Sequence, residues 1–256
     1  MDLTENPSLE ESNIPYPWEY ARFIFIKDML DPLMKKKENY ILDIGSGDGF
    51  ILSELKNKNN ITNFIAVDKY YDSNQINKLK KRLKTEQIYK NVESIDIGEN
   101  KVSTVLLLDV LEHTEDPRKV LKTLVKNSFL DKKCMFIVTV PAFQSLCTAH
   151  DRYLGHYKRY DLGSIEKLIK SCGFIVSDKG YFFHSILILR VLEKFAEVFF
   201  KYDNSNKASM KFKNKLIRAL FTRFMILENY IFNKIKNLTG IKIPGLSSYV
   251  VCQIQQ

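Results

Sequence analysis

The chain has 256 residues, of which 45% are apolar and 27% are charged, and its formal net charge is +9. This length suits one domain, or one domain with a sizeable insertion, and is enough to bury a hydrophobic core. The 17 Phe and 13 Tyr exclude intrinsic disorder, because they supply ample apolar surface to bury. A basic excess is typical of proteins that bind nucleic acid or an anionic membrane surface.

Cysteine spacing and the N-terminal residues bear on the compartment. No C-x-x-C pair occurs, and no histidine stands at zinc-ligand spacing from any cysteine, the four being Cys134, Cys147, Cys172 and Cys252. We therefore predict free buried thiols in a reducing cytosol and no metal site. Residues 1–12 are acidic and polar, unlike a secretory signal, and no apolar run approaches the ~18 residues that span a bilayer. These features predict a cytoplasmic protein, with contact at the inner face of the membrane left open.

From residue 39 to about 175, short apolar runs alternate with amphipathic stretches. The pattern predicts strands at 40–44, 64–67, 105–108, 134–140 and from 174 onward. It predicts helices at 50–58, 74–90, 117–127 and 162–171. Continuous apolar strands that alternate with helices indicate an α/β fold with a parallel sheet covered on both faces.

A glycine-rich turn follows the first predicted strand and opens a helix, which is the context of a ligand-binding loop. Its sequence is Asp43-Ile44-Gly45-Ser46-Gly47-Asp48-Gly49. Glycine permits positive φ and lets the backbone approach a ligand closely. The G-x-G-x-G spacing differs from G-x-G-x-x-G and disfavours a nicotinamide-dependent dehydrogenase. Asp68 ends the second strand 19 residues after Gly49, where an acid can accept hydrogen bonds from ribose hydroxyls.

These motifs resemble those of the class I S-adenosylmethionine-dependent methyltransferases. ILDIGSGDG at 41–49 is similar to their first motif, and AVD ending in Asp68 is similar to their ribose-binding acid. VLLLDVLEH at 105–113, followed by Thr-Glu-Asp-Pro117, resembles the fourth-strand segment of the small-molecule branch. The resemblance implies a Rossmann-like fold with a doubly wound, seven-stranded, mostly parallel sheet.

The resemblance also implies S-adenosylmethionine as cofactor and assigns roles on its methionine and ribose side. Asp43 would reach the amino group through water, and Asp68 would hold the ribose. The methionine part would be lined by Gly45, Ser46 and Gly47.

On the adenine side, the resemblance places Asp96 at the adenine amine and Ile97 beside the ring. Leu108 and Asp109 would flank the far side of the cofactor. The chain departs from the family here, because Val102-Ser103 stands where a Phe-Asp pair is common.

The segment after the predicted strand 134–140 is the candidate acceptor site, since ligands bind beyond the carboxyl ends of parallel strands. Residues 150–160 resemble an H-D-x-x-L-G-H-x-x-R-Y stretch in a subgroup associated with polysaccharide and lipid-linked glycan pathways. We predict His150 as the catalytic base, because a histidine near its ordinary pKa suits a hydroxyl or carboxyl-bearing acceptor. Asp151 is a second candidate or an orienting group. The predicted binders of substrate anions or hydroxyls are His156, Arg159 and Tyr160, and a hydrogen-bonded brace of the loop is the alternative.

Three further features have structural interpretations. We expect His113 to cap a turn beneath the cofactor and His184 to be a satisfied structural histidine. The aromatic segment 16–22 would either cover the cofactor pocket or pack against the sheet.

After residue 181 the alternation breaks. Two long amphipathic helices are predicted at 183–200 and 211–236, followed by a strand at 248–254 that would insert antiparallel beside its predecessor. The predicted organisation is an N-terminal helical cap at 1–38, a cofactor-binding core at 39–181, a helical insertion at 182–244 and the final strand of the sheet at 245–256.

The basic charge belongs to the insertion. Residues 182–243 hold 12 Lys and Arg against 4 Asp and Glu, whereas the other residues hold 27 against 26. A basic amphipathic helix pair would lie on an anionic membrane and reach a lipid-linked acceptor. A helical cap or a homodimer interface is the alternative.

Together these features predict a methyltransferase that modifies a small-molecule or glycan acceptor at oxygen. An N-x-P-Y/F segment, typical of nucleic-acid amino methylation, is absent, and Asp109-Val110-Leu111 stands in its place. The alternatives are an RNA methyltransferase and a catalytically inactive, cofactor-binding scaffold. The glycine turn and Asp68 disfavour the scaffold.

Overall fold

The computed structural model describes residues 15–32, 40–59, 61, 63–200 and 214–255. The helices are α1 (Pro17–Leu30), α2 (Phe50–Asn59), α3 (Ser73–Leu83), α4 (Pro117–Val125), α5 (Ala149–Tyr153), α6 (Leu162–Ser171), α7 (His184–Phe200) and α8 (Lys215–Thr239). The strands are β1 (Tyr40–Ile44), β2 (Phe64–Val67), β3 (Ile88–Tyr89), β4 (Val102–Leu108), β5 (Leu130–Pro141), β6 (Phe174–Phe182) and β7 (Ser247–Ile254).

The strands form one seven-stranded sheet in the order β3-β2-β1-β4-β5-β7-β6. β7 runs antiparallel to both β5 and β6, and the remaining pairs are parallel. The predicted mostly parallel sheet and antiparallel final strand are therefore confirmed. In the register, Ile44 pairs with Val67 on one side and Leu107 on the other. The carboxyl ends of β1, β2 and β4 consequently lie level at one edge of the sheet.

Successive residues of the parallel strands point to opposite faces, and each face carries its own hydrophobic cluster. Leu42 and Leu107 belong to the cluster under α4 and α6, whereas Ile41 and Leu106 belong to the cluster under α1, α2 and α3. Burial on both faces explains why the strands read as continuous apolar runs.

Helix α1 contains most of the aromatic segment 16–22, for which covering the cofactor pocket and packing against the sheet were the two alternatives. Phe23, Ile26 and Leu30 pack in the sheet cluster, while Ala21 and Phe25 pack against α8 and the β6–β7 pair. The polar side of the same helix faces the cofactor edge, as described below. The helix therefore both packs on the sheet and covers the site.

Two elements differ from the prediction. The helix expected at 74–90 ends at Leu83, because Lys84 adopts a left-handed conformation with φ of 51°. Ile88 belongs to β3, which pairs with the end of β2, and not to a helical stripe. Helix α5 within the acceptor loop was not predicted.

Within the insertion, α8 supplies a charged cap for the start of α7. The Glu228 carboxylate of α8 accepts hydrogen bonds from the His184 and Ser185 backbone N–H groups at 2.8 and 2.9 Å. The neighbouring Asn229 side chain accepts from Phe183 N–H at 2.9 Å. These acceptors satisfy N–H groups that a helix start leaves without intrahelical partners. Of the predicted second helix, residues 211–213 lie outside the described part, as do residues 1–14 and 33–38 of the predicted cap.

His184 is a structural histidine, as expected, but only one ring nitrogen is satisfied, because its buried Nε2 has no hydrogen-bond partner among the described residues. Its Nδ1 lies 2.8 Å from the Pro244 carbonyl oxygen, and its ring packs on Phe232. Burial lowers the pKa of His184, so the neutral ring donates its Nδ1–H to the carbonyl.

Two predictions about the whole chain can be compared with the structure. All four cysteines are free, and all but the half-buried Cys147 are buried. Across the residues that the structure describes, no helix combines the length and hydropathy needed to cross a membrane.

Candidate active site

The glycine turn joins β1 to α2 and has a backbone that requires glycine. Gly45, Gly47 and Gly49 have φ values of 73°, 53° and 70°. A Cβ at Gly45 would lie 2.6 Å from Val110 Cγ2, so side chains are excluded there by sterics as well as by φ. The Gly45 N–H donates to the Val67 carbonyl at 2.8 Å, which fixes the turn against the end of β2.

Asp68 lies against this turn, as the resemblance implies. Its Oδ2 accepts the Gly47 N–H at 3.0 Å and its Oδ1 accepts the Tyr70 N–H at 2.9 Å. Each carboxylate oxygen offers two acceptor positions, so both can accept a further hydroxyl. Ser46 is held nearby by a 2.8 Å hydrogen bond between its Oγ and the Tyr71 hydroxyl. The site is therefore a rigid turn beside a fixed carboxylate.

Asp43 is buried at the end of β1, with 3% of its surface exposed. Burial, together with a smaller contribution from the nearby carboxylates of Asp68 and Asp48, raises the pKa of this carboxyl to about 7. A cation bound here would favour the ionised form. The amino group of a methionine moiety supplies such a cation.

Asp109 follows β4 and connects the sheet edge to α1. Its Oδ1 accepts the Thr139 hydroxyl at 2.9 Å, and its Oδ2 is paired with the Arg22 guanidinium of α1. Burial alone would raise the pKa of Asp109, but Arg22 and Thr139 outweigh it and the pKa is lowered. Glu19 and Arg22 of α1 line a cleft whose other wall includes Ser46 and Leu108.

The predicted adenine-side residues lie on the segment that leads from β3 towards β4. Ile97 is buried in the cluster beneath α4, whereas Asp96 is exposed. The Asp96 carboxylate accepts the Gly98 N–H at 3.2 Å. The role of these two residues towards adenine stays a prediction.

Asp151 is the centre of a buried ionic brace in the loop between β5 and α6. Its carboxylate accepts the Thr148 N–H at 2.8 Å, pairs with Arg159 at 2.7 Å and with Arg190 of α7 at 3.3 Å, and contacts His156 Nδ1 at 2.9 Å. Burial opposes ionisation, but these partners outweigh it and hold the pKa of Asp151 far below its usual range. The side chain is suited to the orienting role predicted as an alternative and not to that of a base.

Two of the predicted substrate-binding residues, His156 and Arg159, belong to this brace, and the third, Tyr160, is buried in the hydrophobic cluster under α4 and α6. Arg159 is 4% exposed, and its Nη1 also donates to the Ala142 carbonyl at 3.1 Å. Tyr160 is 3% exposed, and burial, together with Glu112, raises its pKa to about 12. The contacts of His156 and Arg159 match the hydrogen-bonded brace that was the alternative, and the substrate-binding roles stay predictions. The His150 side chain lies outside the described part of the structure.

A cluster that was not predicted forms where this loop folds back on β4. Glu112 and His113 end a short turn after β4, and the His113 ring meets the His156 ring edge-to-face with centroids 4.6 Å apart. Glu112 is buried, and burial together with Asp109 raises its pKa well above the ordinary value. The LEH segment was visible in the sequence, but His156 comes 43 residues after His113 and only the fold brings them together.

A second cleft, of about 600 Å³, opens between α4, α6 and residues 157–160. Its lining combines the aromatic side chains of Tyr157 and Tyr160 with the basic side chains of Arg118, Lys158 and Lys167. Volumes of ~300 to ~1,000 Å³ are usual for small-molecule sites, so this cleft is large enough for an acceptor.

Comparison with known proteins identifies the family. A family model described as "Methyltransferase domain" matches residues 18–187. The chain belongs to this methyltransferase family. No curated protein sequence matches this methyltransferase significantly.

Solved structures show the same fold. The plantazolicin methyltransferase BpumL, solved with a triazolic desmethylPZN analog and SAH, has a TM-score of 0.55 at 12% identity and covers 99% of this chain and 90% of its own. The YcgJ protein from Bacillus subtilis has a TM-score of 0.52 at 12% identity and covers 91% of this chain and 98% of its own. The fold is the Rossmann-like, class I methyltransferase fold, and the cofactor of this methyltransferase is S-adenosylmethionine.

The residues present fit that cofactor. The buried Asp43 suits an ammonium group, and the two acceptor positions left on Asp68 suit vicinal hydroxyls. The Asp43 and Asp68 side chains lie at the same edge of the sheet as the glycine turn.

Proposed function

We propose that this methyltransferase transfers a methyl group from S-adenosylmethionine to an oxygen of a glycan or other small-molecule acceptor. The observation that supports it is the 600 Å³ cleft, which is lined by the exposed Tyr157 and by basic side chains from α4, α6 and the loop before α6. Sugar rings pack on tyrosine faces, and Arg and Lys pair with carboxylate or phosphate groups of anionic glycans. The subgroup associated with polysaccharide and lipid-linked glycan pathways remains the proposed relationship.

The cofactor supplies an electrophilic methyl group, so the protein has mainly to hold two reactants in line. Asp43, Asp68 and the glycine turn hold the cofactor side. The Arg22–Asp109 ion pair holds α1 over the same edge. Asp109 stands at this edge, and shortly after it in the chain Glu112 and His113 meet His156 of the acceptor segment 141–160.

A base is needed if the acceptor is a hydroxyl, which carries its proton at neutral pH. His150 remains the proposed base, with its backbone in the first turn of α5. Asp151 acts through its partners by holding His156, Arg159 and Arg190 in place.

The insertion is proposed to hold the enzyme at the inner, anionic face of a membrane, where a lipid-linked acceptor would be found. Large apolar side chains on α7 and α8 are exposed, among them Leu192, Phe195, Leu216, Leu220, Phe224 and Leu227. Basic residues accompany them, and their excess is confined to 182–243. Exposed apolar residues together with basic charge suit an interfacial helix.

The experiment is a transfer assay with methyl-labelled S-adenosylmethionine and three acceptor pools: lipid-linked glycans, soluble saccharides and total RNA. We expect label in a saccharide fraction, stable to base as a methyl ether, and loss of transfer in His150→Ala. Label in RNA alone would overturn the glycan proposal. Cofactor binding without transfer to any pool would favour the scaffold alternative, and Asp68→Ala serves as the binding-deficient control.

A further inference from the structure

Glu112, His113 and His156 place three metal-binding side chains together. One ligand atom from each lies within 4.8 Å of the other two. The donors of a single ion stand ~3 to ~3.5 Å apart when each bond is ~2.1 Å long, so small side-chain rotations would bring these three into range. The short turn Leu111–His113 supplies the first two residues, and the loop after α5 supplies the third.

Glu112 gives an independent indication of a ligand. Its side chain is 1% exposed, and within the described residues its Oε2 has no hydrogen-bond partner. Buried polar atoms are nearly always partnered, because leaving one without a partner costs folding free energy. A cation among these three side chains would supply the partner that Oε2 lacks.

His156 is oriented in the way that metal-binding histidines usually are. Its Nδ1 lies 2.9 Å from Asp151 Oδ1, and Asp151 is fixed by Arg159 and Arg190. An ionised carboxylate only accepts hydrogen bonds, so we assign the proton of the neutral ring to Nδ1. Nε2 then carries the lone pair that a metal ion needs, and the carboxylate fixes the ring angle.

We propose that Glu112, His113 and His156 bind a divalent transition-metal ion such as Zn²⁺. Two imidazoles and one carboxylate form the donor set of open zinc sites, whereas Mg²⁺ prefers oxygen donors and retained water. Three protein ligands leave a coordination position for a ligand from outside. This site replaces the expectation of no metal, which rested on cysteine spacing alone.

The cluster follows directly after Asp109, at the edge where the cofactor binds. An ion at this place would bind the acceptor oxygen and stabilise its negative charge as the proton passes to the proposed base His150. The oxygen would then form its bond to the methyl carbon while the bond from that carbon to the cofactor sulfur breaks. This role rests on the proposed oxygen acceptor, but metal binding itself does not.

The first test is calorimetry on the full-length, chelator-stripped protein with Zn²⁺ and Mg²⁺. We expect one Zn²⁺ per chain and weak or no Mg²⁺ binding. In Glu112→Gln and in His113→Asn, which each remove a direct ligand, Zn²⁺ affinity should fall by at least the ~10- to ~100-fold that loss of an outer-shell partner costs. Glu115→Gln removes an exposed carboxylate three residues away and should bind Zn²⁺ like the wild type. Absence of Zn²⁺ binding, or binding that none of the site variants weakens, would overturn the site.

Each variant is first checked for a cooperative thermal transition. If Glu112→Gln does not fold, the Zn²⁺ affinity of His113→Asn, which alters a half-exposed side chain, tests the site in its place. A ligand-field spectrum of the Co²⁺-substituted wild type provides a readout that depends on no variant. An octahedral spectrum identical to aqueous Co²⁺ would count against histidine ligands.

The second test separates the metal from the proposed reaction. If Zn²⁺ binds with the expected variant profile but no acceptor is ever methylated, the site stands and the proposed function fails. If transfer occurs at the full rate in stripped protein, the role in acceptor activation is overturned. Transfer that is lost on chelation and restored by Zn²⁺ supports both.

Discussion

Asp43 is a carboxyl whose burial links cofactor binding to folding stability. Its pKa is raised to about 7 in the folded chain, above the ordinary value of 3.8, so the native state holds this proton more tightly than the unfolded state. The stability that it contributes is therefore fully present below pH 3.8, declines as the pH rises and is lost above about 7.

We predict that Asp43→Asn stabilises the free protein more at pH 8 than at pH 5, by about 1–3 kcal/mol, because the amide never ionises. Urea unfolding of wild type and variant at the two pH values measures this difference. Asp96→Asn, which alters an exposed carboxylate, is the control: the difference in unfolding free energy between this variant and the wild type should be the same at both pH values. If Asp43→Asn changes the unfolding free energy by the same amount at pH 5 and pH 8, then ionisation of Asp43 does not destabilise the folded protein in this pH range.

The Asp151 brace allows a second prediction. Asp151→Ala leaves the Arg159 guanidinium, 4% exposed, and the Arg190 guanidinium without their carboxylate. We expect a loss of about 3–5 kcal/mol in unfolding free energy, since a buried charge without its partner is strongly destabilising. Chemical denaturation measures it.

Glu193→Ala is the matched control, because it removes another partner of Arg190 at a half-exposed position. Its cost should stay below ~1 kcal/mol. A similar small cost for Asp151→Ala would show that the brace does not hold the loop.

The residue roles that could be read from the sequence are those encoded in contiguous motifs. The glycine turn, Asp43 and Asp68 occur in short segments whose spacing carries their geometry. The pairing of Asp151 with Arg190 joins residues 39 positions apart, and the meeting of His113 with His156 depends on how a loop folds back. No local pattern encodes either.

Among the elements, the start of α7 depends on a side chain from α8. Glu228 is 7% exposed and accepts two backbone N–H groups there. Glu228→Gln keeps the shape but leaves a single acceptor oxygen without charge. We predict a loss of about 1–3 kcal/mol in unfolding free energy, since charge-assisted bonds at a helix start are strong.

Thermal and urea unfolding measure this loss, with Asn214→Ala as the comparison. Asn214 caps α8 itself at an exposed position, and removing a cap of that kind costs about 1 kcal/mol. If Glu228→Gln costs no more than Asn214→Ala, then α8 does not anchor the start of α7.

Element prediction succeeded where hydrophobic periodicity is strong. β2 and α6 have the predicted bounds, since each is a clean apolar run or stripe between clear stop signals. The two-residue β3 is too short to show a hydrophobic period, so the predicted helix 74–90 included it. Helix α5 has five residues and is held by the Asp151 brace, which propensity does not reveal.

Over the whole molecule, the charge and the exposed apolar surface coincide in the insertion. We predict that the protein floats with phosphatidylglycerol vesicles at low salt and not with phosphatidylcholine vesicles, because both terms contribute to interfacial binding. The double substitution Leu220→Glu and Phe224→Glu should reduce flotation at least several-fold. Ile175→Glu, at an exposed apolar position on β6, is the control and should float normally.

A protein that stays at the bottom of the gradient with both lipids would contradict the membrane proposal. If the protein instead elutes from a size-exclusion column at twice its mass, and the double variant elutes as a monomer, the homodimer alternative is supported.

The sequence predicted the fold class and the place of the insertion, since both follow from the order in which strand and helix patterns occur along the chain. The sequence could not predict whether a membrane or a second copy of the chain covers the exposed apolar side chains of the insertion, because either partner lies outside the chain.

The place of β7 has a consequence for the order in which the protein is completed during synthesis. β5 and β6 make no ladder with each other, because β7 lies between them and pairs along both. The ribosome releases β7 only after the whole insertion, so until then β5 presents an open edge and β6 has no partner strand. An unpaired edge is a site for aggregation, and a nascent chain of this protein is exposed to that hazard for longer than its core length suggests. Chaperones that shield strand edges would therefore act on the first six strands while they wait for the seventh.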